Sequence, residues 1–332
     1  MTGVDEQQIA GPSRTAILVA AARAFGSREP DASVRNPDLL ADRLIGPAEL
    51  AMLGDHAFGS MNECEYSEAV QKPALVMLSM YMLLRTRFID EALERAVRNG
   101  TTQVVILGAG FDSRAYRFGD LLKDCRVVEV DARATQEYKR QRLGALSVDI
   151  PKNLQYVELD FGRDDLAAAL RGAGMSASEK TFYIWEGVCM YLPEARVRST
   201  LSTLAKNSAP GSMLVLDFVY QAFIDTMRTQ PPGALTLPAA WQEPWLFGVP
   251  GADAQDFFGQ VGFDVASSFA AHDPRLAGRY AMRPDGTVYG SEVFRKMRAE
   301  AMAKAAASGQ TETMLADRPA IWLAELAVRG GS

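Results

Sequence analysis

From residue 101 onward the chain alternates between two periodicities, and that alternation restricts its fold more than any other feature. Short β-branched or aromatic runs occur at Val104–Leu107 (VVIL), Val127–Val130 (VVEV), Val157 with Leu159, Thr181–Trp185 (TFYIW) and Met213–Leu216 (MLVL). Helical patterns separate them at Ala132–Leu146, Asp164–Arg171 and Glu194–Lys206. The runs are apolar almost throughout, as strands covered on both faces must be. Strand and helix in succession imply parallel strands joined by crossover helices, hence an α/β, doubly wound sheet. A final strand pair is predicted at Phe263–Ala270 and Ala320–Val328; the material between, with an Ala-rich helix at Ser291–Ala307, reads as an insertion.

The first hundred residues show no strand alternation. Helices are predicted over TAILVAAARAF (Thr15–Phe25), after Pro37, and from Pro73 to the Asn99-Gly100 stop. No Ser/Gly linker divides the chain. The expected organisation is a flexible leader (1–13) and a single domain (14–332), comprising a helical cover (14–100), a cofactor-binding core (101–219) and acceptor-side insertions with the last strands (220–332). Residues 220–250, rich in Pro and carrying Trp241 and Trp245, break the rhythm and read as core, lid or wall of an apolar pocket.

Composition narrows the partners. A net charge of −6 and a pI near 5.2 argue against a phosphate-backbone binder. The most apolar run, Ala74–Leu84, is about half a bilayer span and ends at Arg85 and Arg87. Cys64, Cys125 and Cys189 have neither disulfide nor metal-ligand spacing, and the N-terminus has no signal-peptide pattern. A soluble cytoplasmic protein without nucleic-acid or membrane partner is expected, its oligomeric state left open.

Four motifs carry chemistry. Gly108-Ala109-Gly110-Phe111-Asp112-Ser113-Arg114 follows the first strand, where Gly-x-Gly permits a tight turn and close approach to a ligand. The dinucleotide fingerprint fails, because Ser113 stands where the third glycine belongs and Asp112 would repel a diphosphate. A nucleoside without phosphates fits better. Asp131, at the tip of the second strand about twenty positions on, is placed to accept hydrogen bonds from ribose hydroxyls; Glu129 shares its face. After the third strand, Asp160 with Phe161 suits either an adenine contact or, for Asp160, a helix N-cap. In WEGVCMYLP (Trp185–Pro193), Glu186 flanks the same crevice, with Met190 and Tyr191 bordering an acceptor.

With these motifs in order, the chain resembles the leucine carboxyl methyltransferase-like family. The resemblance is carried by RTRFIDEAL, QVVILGAGFDSRAYRF, VVEVDARATQEYKRQRL, ELDF, WEGVCMYLPEARVRSTL and SMLVLDF, closely covering residues 85–218. It implies a class I methyltransferase fold, a Rossmann-like, mostly parallel seven-stranded sheet with a helical N-terminal cover. It also implies S-adenosyl-L-methionine as methyl donor. On this resemblance Arg85 matches the arginine that grips the donor's methionine carboxylate, and Arg23 a second basic contact. Gly108 and Gly110 would line the methionine and ribose portion, Asp131 the ribose, Asp160 the adenine, and Glu186 would be the acid under the donor. Without it, Arg85 and Arg87 read as a solvated helix face.

Methyl transfer from a sulfonium is an in-line displacement, so alignment and desolvation dominate. A carboxylate acceptor is ionised at neutral pH and needs no base, whereas a phenol near pKa ~10 usually does. His56 and His272 are the only histidines and lie outside the motifs. The expectation is therefore O-methylation of a small molecule, carboxyl first and hydroxyl second. Protein C-terminal carboxyl methylation, a nicotinamide oxidoreductase and a non-catalytic nucleoside-binding protein are the rivals.

Overall fold

The apolar runs pair into one sheet. The computed structural model describes residues 11–229, 243–271, 273–308 and 321–330. Its strands are β1 (Gln103–Leu107), β2 (Arg126–Asp131), β3 (Leu154–Glu158), β4 (Thr181–Trp185), β5 (Met213–Phe218), β6 (Phe263–Ala270) and β7 (Trp322–Val328), in the order β3-β2-β1-β4-β5-β7-β6. The first five strands are parallel, and β7 runs antiparallel to both β5 and β6. This is an α/β, doubly wound fold.

Burial on both faces explains the near-continuous apolar strands. On one face Val105, Leu107, Val130, Trp185 and Leu216 pack under helices α9 (Leu166–Gly172), α10 (Glu194–Lys206) and Ala254–Gln260, through Leu170, Leu201, Leu204 and Phe258. On the other face Val104, Ile106, Val127, Ile184 and Val215 meet Leu83, Leu84, Phe88 and Leu93 of the long helix α5 (Pro73–Arg98). Pro73 sits in the first turn of α5, and Gly100, at φ 86°, follows its end. Helix α1 (Arg14–Ser27), capped by Ser13, packs with α2 (Leu39–Leu44) and α5 in a separate apolar cluster that includes Phe111.

The third strand departs from expectation: it begins at Leu154 and ends one residue before Leu159. It lies at the sheet edge with only Leu154 buried, so its side chains give a weak periodic signal. The insertion helix spans Ser291–Ser308. Residues 1–10 of the expected leader, Trp241, His272, and 309–320 fall outside the described residues. Among the described residues no helix is long and apolar enough to cross a membrane.

Chain reversal puts the ligand crevice at one place. After β1 the chain builds β2 and β3 on one side, then returns to place β4 and β5 on the other. The crevice must open beyond the carboxyl ends of β1 and β4. Beneath it, helix α8 (Arg133–Ala145) is locked to β2 by a fully buried pair. Lys139 Nζ donates to Glu129 Oε2 at 2.7 Å and to Asp112 O at 2.6 Å. Glu129 Oε1 has no partner, and burial pushes the carboxyl up to about 7 despite Lys139. An acid raised above its unfolded value contributes stability at low pH that is lost as pH rises through about 7. Lys139→Met should therefore cost about 3–5 kcal/mol at pH 8, because it strands a buried carboxylate. The deficit should shrink below pH 7; urea titrations of both proteins across this range measure it.

Candidate active site

A cleft of about 1410 Å³ opens where the topology requires, walled by the ends of β1, β2 and β4, by α1 and by residues 243–246. Its floor is the turn after β1. Gly108 adopts φ 63° and Gly110 φ 48°, the left-handed region that glycine enters without penalty. A Cβ on Gly108 would lie 2.3 Å from Val188 Cγ2. The Gly108 N–H donates to Val130 O at 2.7 Å, and the Gly110 N–H to the Asp131 carboxylate. The other Asp131 oxygen accepts the Ala132 N–H at 2.7 Å. Burial raises the Asp131 carboxyl, and these two amides pull it back.

Glu186 projects from the end of β4 into a cage of guanidiniums. Arg114 donates to its Oε2 at 2.7 Å, Arg85 Nη2 lies 2.8 Å from Oε1, and Arg23 Nη1 3.9 Å from Oε1. Burial alone would raise this carboxyl, but Arg85, Arg114 and Arg23 outweigh it and hold it well below the usual carboxylate range. The Arg85 contact is an ion contact without hydrogen-bond alignment, so Oε1 remains a buried acceptor lacking a donor, and Arg85 Nε a buried donor lacking an acceptor.

The cage extends outward. Asp217, on β5, accepts Arg85 Nη1 at 2.6 Å, the Tyr81 hydroxyl at 2.9 Å and the Gly187 N–H at 2.5 Å. Arg23 donates to Asp38 at 2.8 Å and Phe111 O at 2.9 Å. Arg114 also holds Asp90, at 2.8 Å, and Asp112, while Arg117 forks onto Asp90. Five carboxylates (Asp38, Asp90, Asp112, Glu186, Asp217) thus face four guanidiniums (Arg23, Arg85, Arg114, Arg117), one negative charge in excess.

Arg23, Arg85, Gly108, Gly110, Asp131, Asp160, Phe161, Glu186 and Tyr191 all line the cleft. Asp160 stands exposed at its rim, Oδ1 accepting the Gly162 N–H at 2.7 Å; Asp165 rather than Asp160 caps α9. Phe161 is half-buried and leans on the core. Met190 is a correction: it is absent from the lining and packs with Val219 and Ile224. Cys189–Tyr191 form one 3₁₀ turn, which sends Tyr191 to the cleft and Met190 behind it. Nor does Asp112 repel a diphosphate as expected, since Arg114 already neutralises that carboxylate. What disfavours a diphosphate is the short helix after the turn, Arg114–Arg117, four residues long. His56 caps a 3₁₀ turn through Phe58 N at 3.2 Å, away from the cleft.

Sequence reasoning missed Asp217 and Arg114, and within residues 220–250, read as core, lid or pocket wall, it did not single out Glu243. Asp217 had a signal: like Asp131, it is an acid near a strand end, in MLVLDF. Glu243 Oε2 accepts the Ser13 hydroxyl at 3.2 Å and the Thr15 N–H at 3.1 Å. Ser13 N–H also donates to Thr135 Oγ1 of α8 at 3.4 Å, so residues 13–15 reach both walls. Gly108→Ala should destabilise by at least about 2 kcal/mol through the left-handed backbone and the Val188 clash. Adding Val188→Ala should recover only the clash component, read as urea midpoints of the single and double variants.

A profile of the leucine carboxyl methyltransferase family matches residues 16–205. A Streptomyces coelicolor protein provisionally named an S-adenosyl-L-methionine-dependent methyltransferase is 34% identical over 226 residues, 67% of this chain and 70% of its own. A Mycobacterium tuberculosis H37Rv protein with the same provisional name is 31% identical over 293 residues, 83% of this chain and 94% of its own. The crystal structure of a duf574 family protein from Streptomyces avermitilis superposes at a TM-score of 0.51 and 14% identity, covering 93% of this chain and 97% of that one, a likeness of fold. The chain belongs to the leucine carboxyl methyltransferase family.

Proposed function

We propose that this methyltransferase, whose methyl donor is S-adenosylmethionine, holds the donor across the β1–β4 crevice and methylates an oxygen, carboxylate or hydroxyl, of a small-molecule acceptor. The observation that carries the donor's placement is the buried pair of unsatisfied groups, Arg85 Nε–H and Glu186 Oε1. An amino acid zwitterion needs a donor for its carboxylate and an acceptor for its ammonium, and the cage offers one of each. Its excess negative charge suits a donor that is cationic overall. The Gly108–Gly110 turn presents backbone to the cleft, and Asp131 at the tip of β2 suits ribose hydroxyls. Asp160 and Phe161 at the far rim suit adenine.

The bound donor supplies an electrophilic methyl group on a positively charged sulfur. The chain's own contribution is alignment: ionised Glu186 stays charged across the working pH range because three guanidiniums surround it, and apolar Val188, Leu192 and Leu246 exclude water from the acceptor end. Burial raises the Tyr191 hydroxyl, which keeps it a proton donor rather than a base. A cytoplasmic setting and a small-molecule partner belong to the same proposal, supported by the free thiols Cys64, Cys125 and Cys189 and by the acidic balance.

Thermal-shift titration with S-adenosylhomocysteine tests the site, and the absence of stabilisation in folded protein refutes it. Asp131→Ala should weaken that ligand about 10–100-fold by calorimetry, the worth of hydrogen bonds to a charged group. An unchanged affinity would remove Asp131 from the ribose.

A further inference from the structure

The acceptor end of the cleft has a chemistry of its own. Thr15, Tyr191 and Glu243 line it, and Trp245 stands behind Tyr191. The Thr15 hydroxyl and the Trp245 indole N–H are buried and donate to the Tyr191 hydroxyl oxygen, which leaves that hydroxyl's own proton for a ligand in the cleft it lines. Glu243 spends only Oε2 on Ser13 and Thr15; Oε1 takes no hydrogen bond from a described residue. Among the described residues Glu243 has no ion pair, and the cleft guanidiniums of Arg23 and Arg85 are engaged by Asp38, Glu186 and Asp217.

This arrangement is poor for a carboxylate. Its negative charge would meet Glu243, while the guanidiniums lining the described cleft, Arg23, Arg85, Arg133 and Arg163, already face carboxylates. An ammonium would be attracted but has no lone pair for the Tyr191 O–H to meet. A hydroxyl satisfies both requirements, offering a lone pair to the Tyr191 O–H and a proton to Glu243 Oε1.

Resting on the methyl-donor reading above, we infer that the acceptor is a hydroxyl compound, phenolic or enolic, and that Glu243 is the catalytic residue that takes its proton. In the step, the acceptor O–H bond breaks and its proton passes to the Glu243 carboxylate. The oxygen forms a bond to the methyl carbon, while the methyl–sulfur bond breaks and leaves its electron pair on sulfur. No further reactant is required. The clasp on Ser13 and Thr15 is a structural duty that a glutamine carbonyl can also perform, which lets the two roles be separated.

The test uses matched pairs sharing one ring frame: phenol with benzoate and aniline, and 2-naphthol with 2-naphthoate. Calorimetry on the S-adenosylhomocysteine-bound chain should show 2-naphthol binding at least 10-fold tighter than 2-naphthoate, with Glu243→Gln narrowing that gap. Mass spectrometry should show the 14-dalton gain, one CH₂, on the phenols before the acids or the amine. Glu243→Gln should lower kcat on a phenol about 100-fold at pH 7. The loss should fade as pH approaches ~10, where the phenol ionises without help, and Glu243→Asp should restore part of the rate. Stabilisation by S-adenosylhomocysteine should be the same in all three proteins. Equal or tighter binding of 2-naphthoate, faster methylation of acids or aniline, no phenol methylated, or a pH-independent effect of Glu243→Gln would each overturn the inference. Failure of S-adenosylhomocysteine to bind the parent chain would instead overturn the donor reading beneath it.

Discussion

Convergence of Arg23, Arg85 and Arg114 on the Glu186 carboxylate is the interaction on which the rest of the molecule is organised. Each guanidinium arrives on a different element: α1, α5 and the short helix after β1. Charges taken out of water cost several kcal/mol apiece unless they are paired and hydrogen-bonded, so none of these elements can dock alone. The helical cover and the sheet are consequently one electrostatic unit, with Asp217 tying α5 to β5 and Asp38 tying α1 to α2. The network leaves a donor on Arg85 and an acceptor on Glu186 unsatisfied, and both residues line the cleft. The charges that hold the elements together are thus also the ones that face the cleft.

The sheet was legible because two-sided burial writes itself into short windows: Gln103–Leu107 and Thr181–Trp185 are buried at every position. The edge strand slipped because one buried leucine carries no phase. Asp131 and Glu186 were legible because strand ends are where an α/β sheet meets its ligand. Arg85 was not legible from its neighbours. Its helix face reads as solvated, yet Arg85 is buried, and Arg87 is bonded to Ser33 O and Tyr280 O at 2.6 and 2.8 Å. Only the family resemblance singled out Arg85.

The remaining gaps have a common cause. Arg85 meets Asp217 across 132 residues, Arg114 meets Glu186 across 72, and Thr15 meets Glu243 across 228. No short window of sequence contains both partners, so nothing local marks the pairing. Met190 departed for a different reason: adjacent residues on a tight turn part company, and the pattern cannot say which of Met190 and Tyr191 faces the cleft.

The cleft's two ends therefore stand under unequal evolutionary constraint. In the cage Arg23, Arg85 and Arg114 each answer to two or three carboxylates and Glu186 to all three guanidiniums, so replacing one strands others and change there must be concerted. At the acceptor end Val188, Leu246 and Glu243 are held by apolar contact or a pair of hydrogen bonds to the N-terminal segment. Substitutions there are nearly independent of the cage. Drift in such a chain can retune what is methylated while the source of the methyl group stays fixed, and Gly108, pressed on Val188, marks where the two regimes touch.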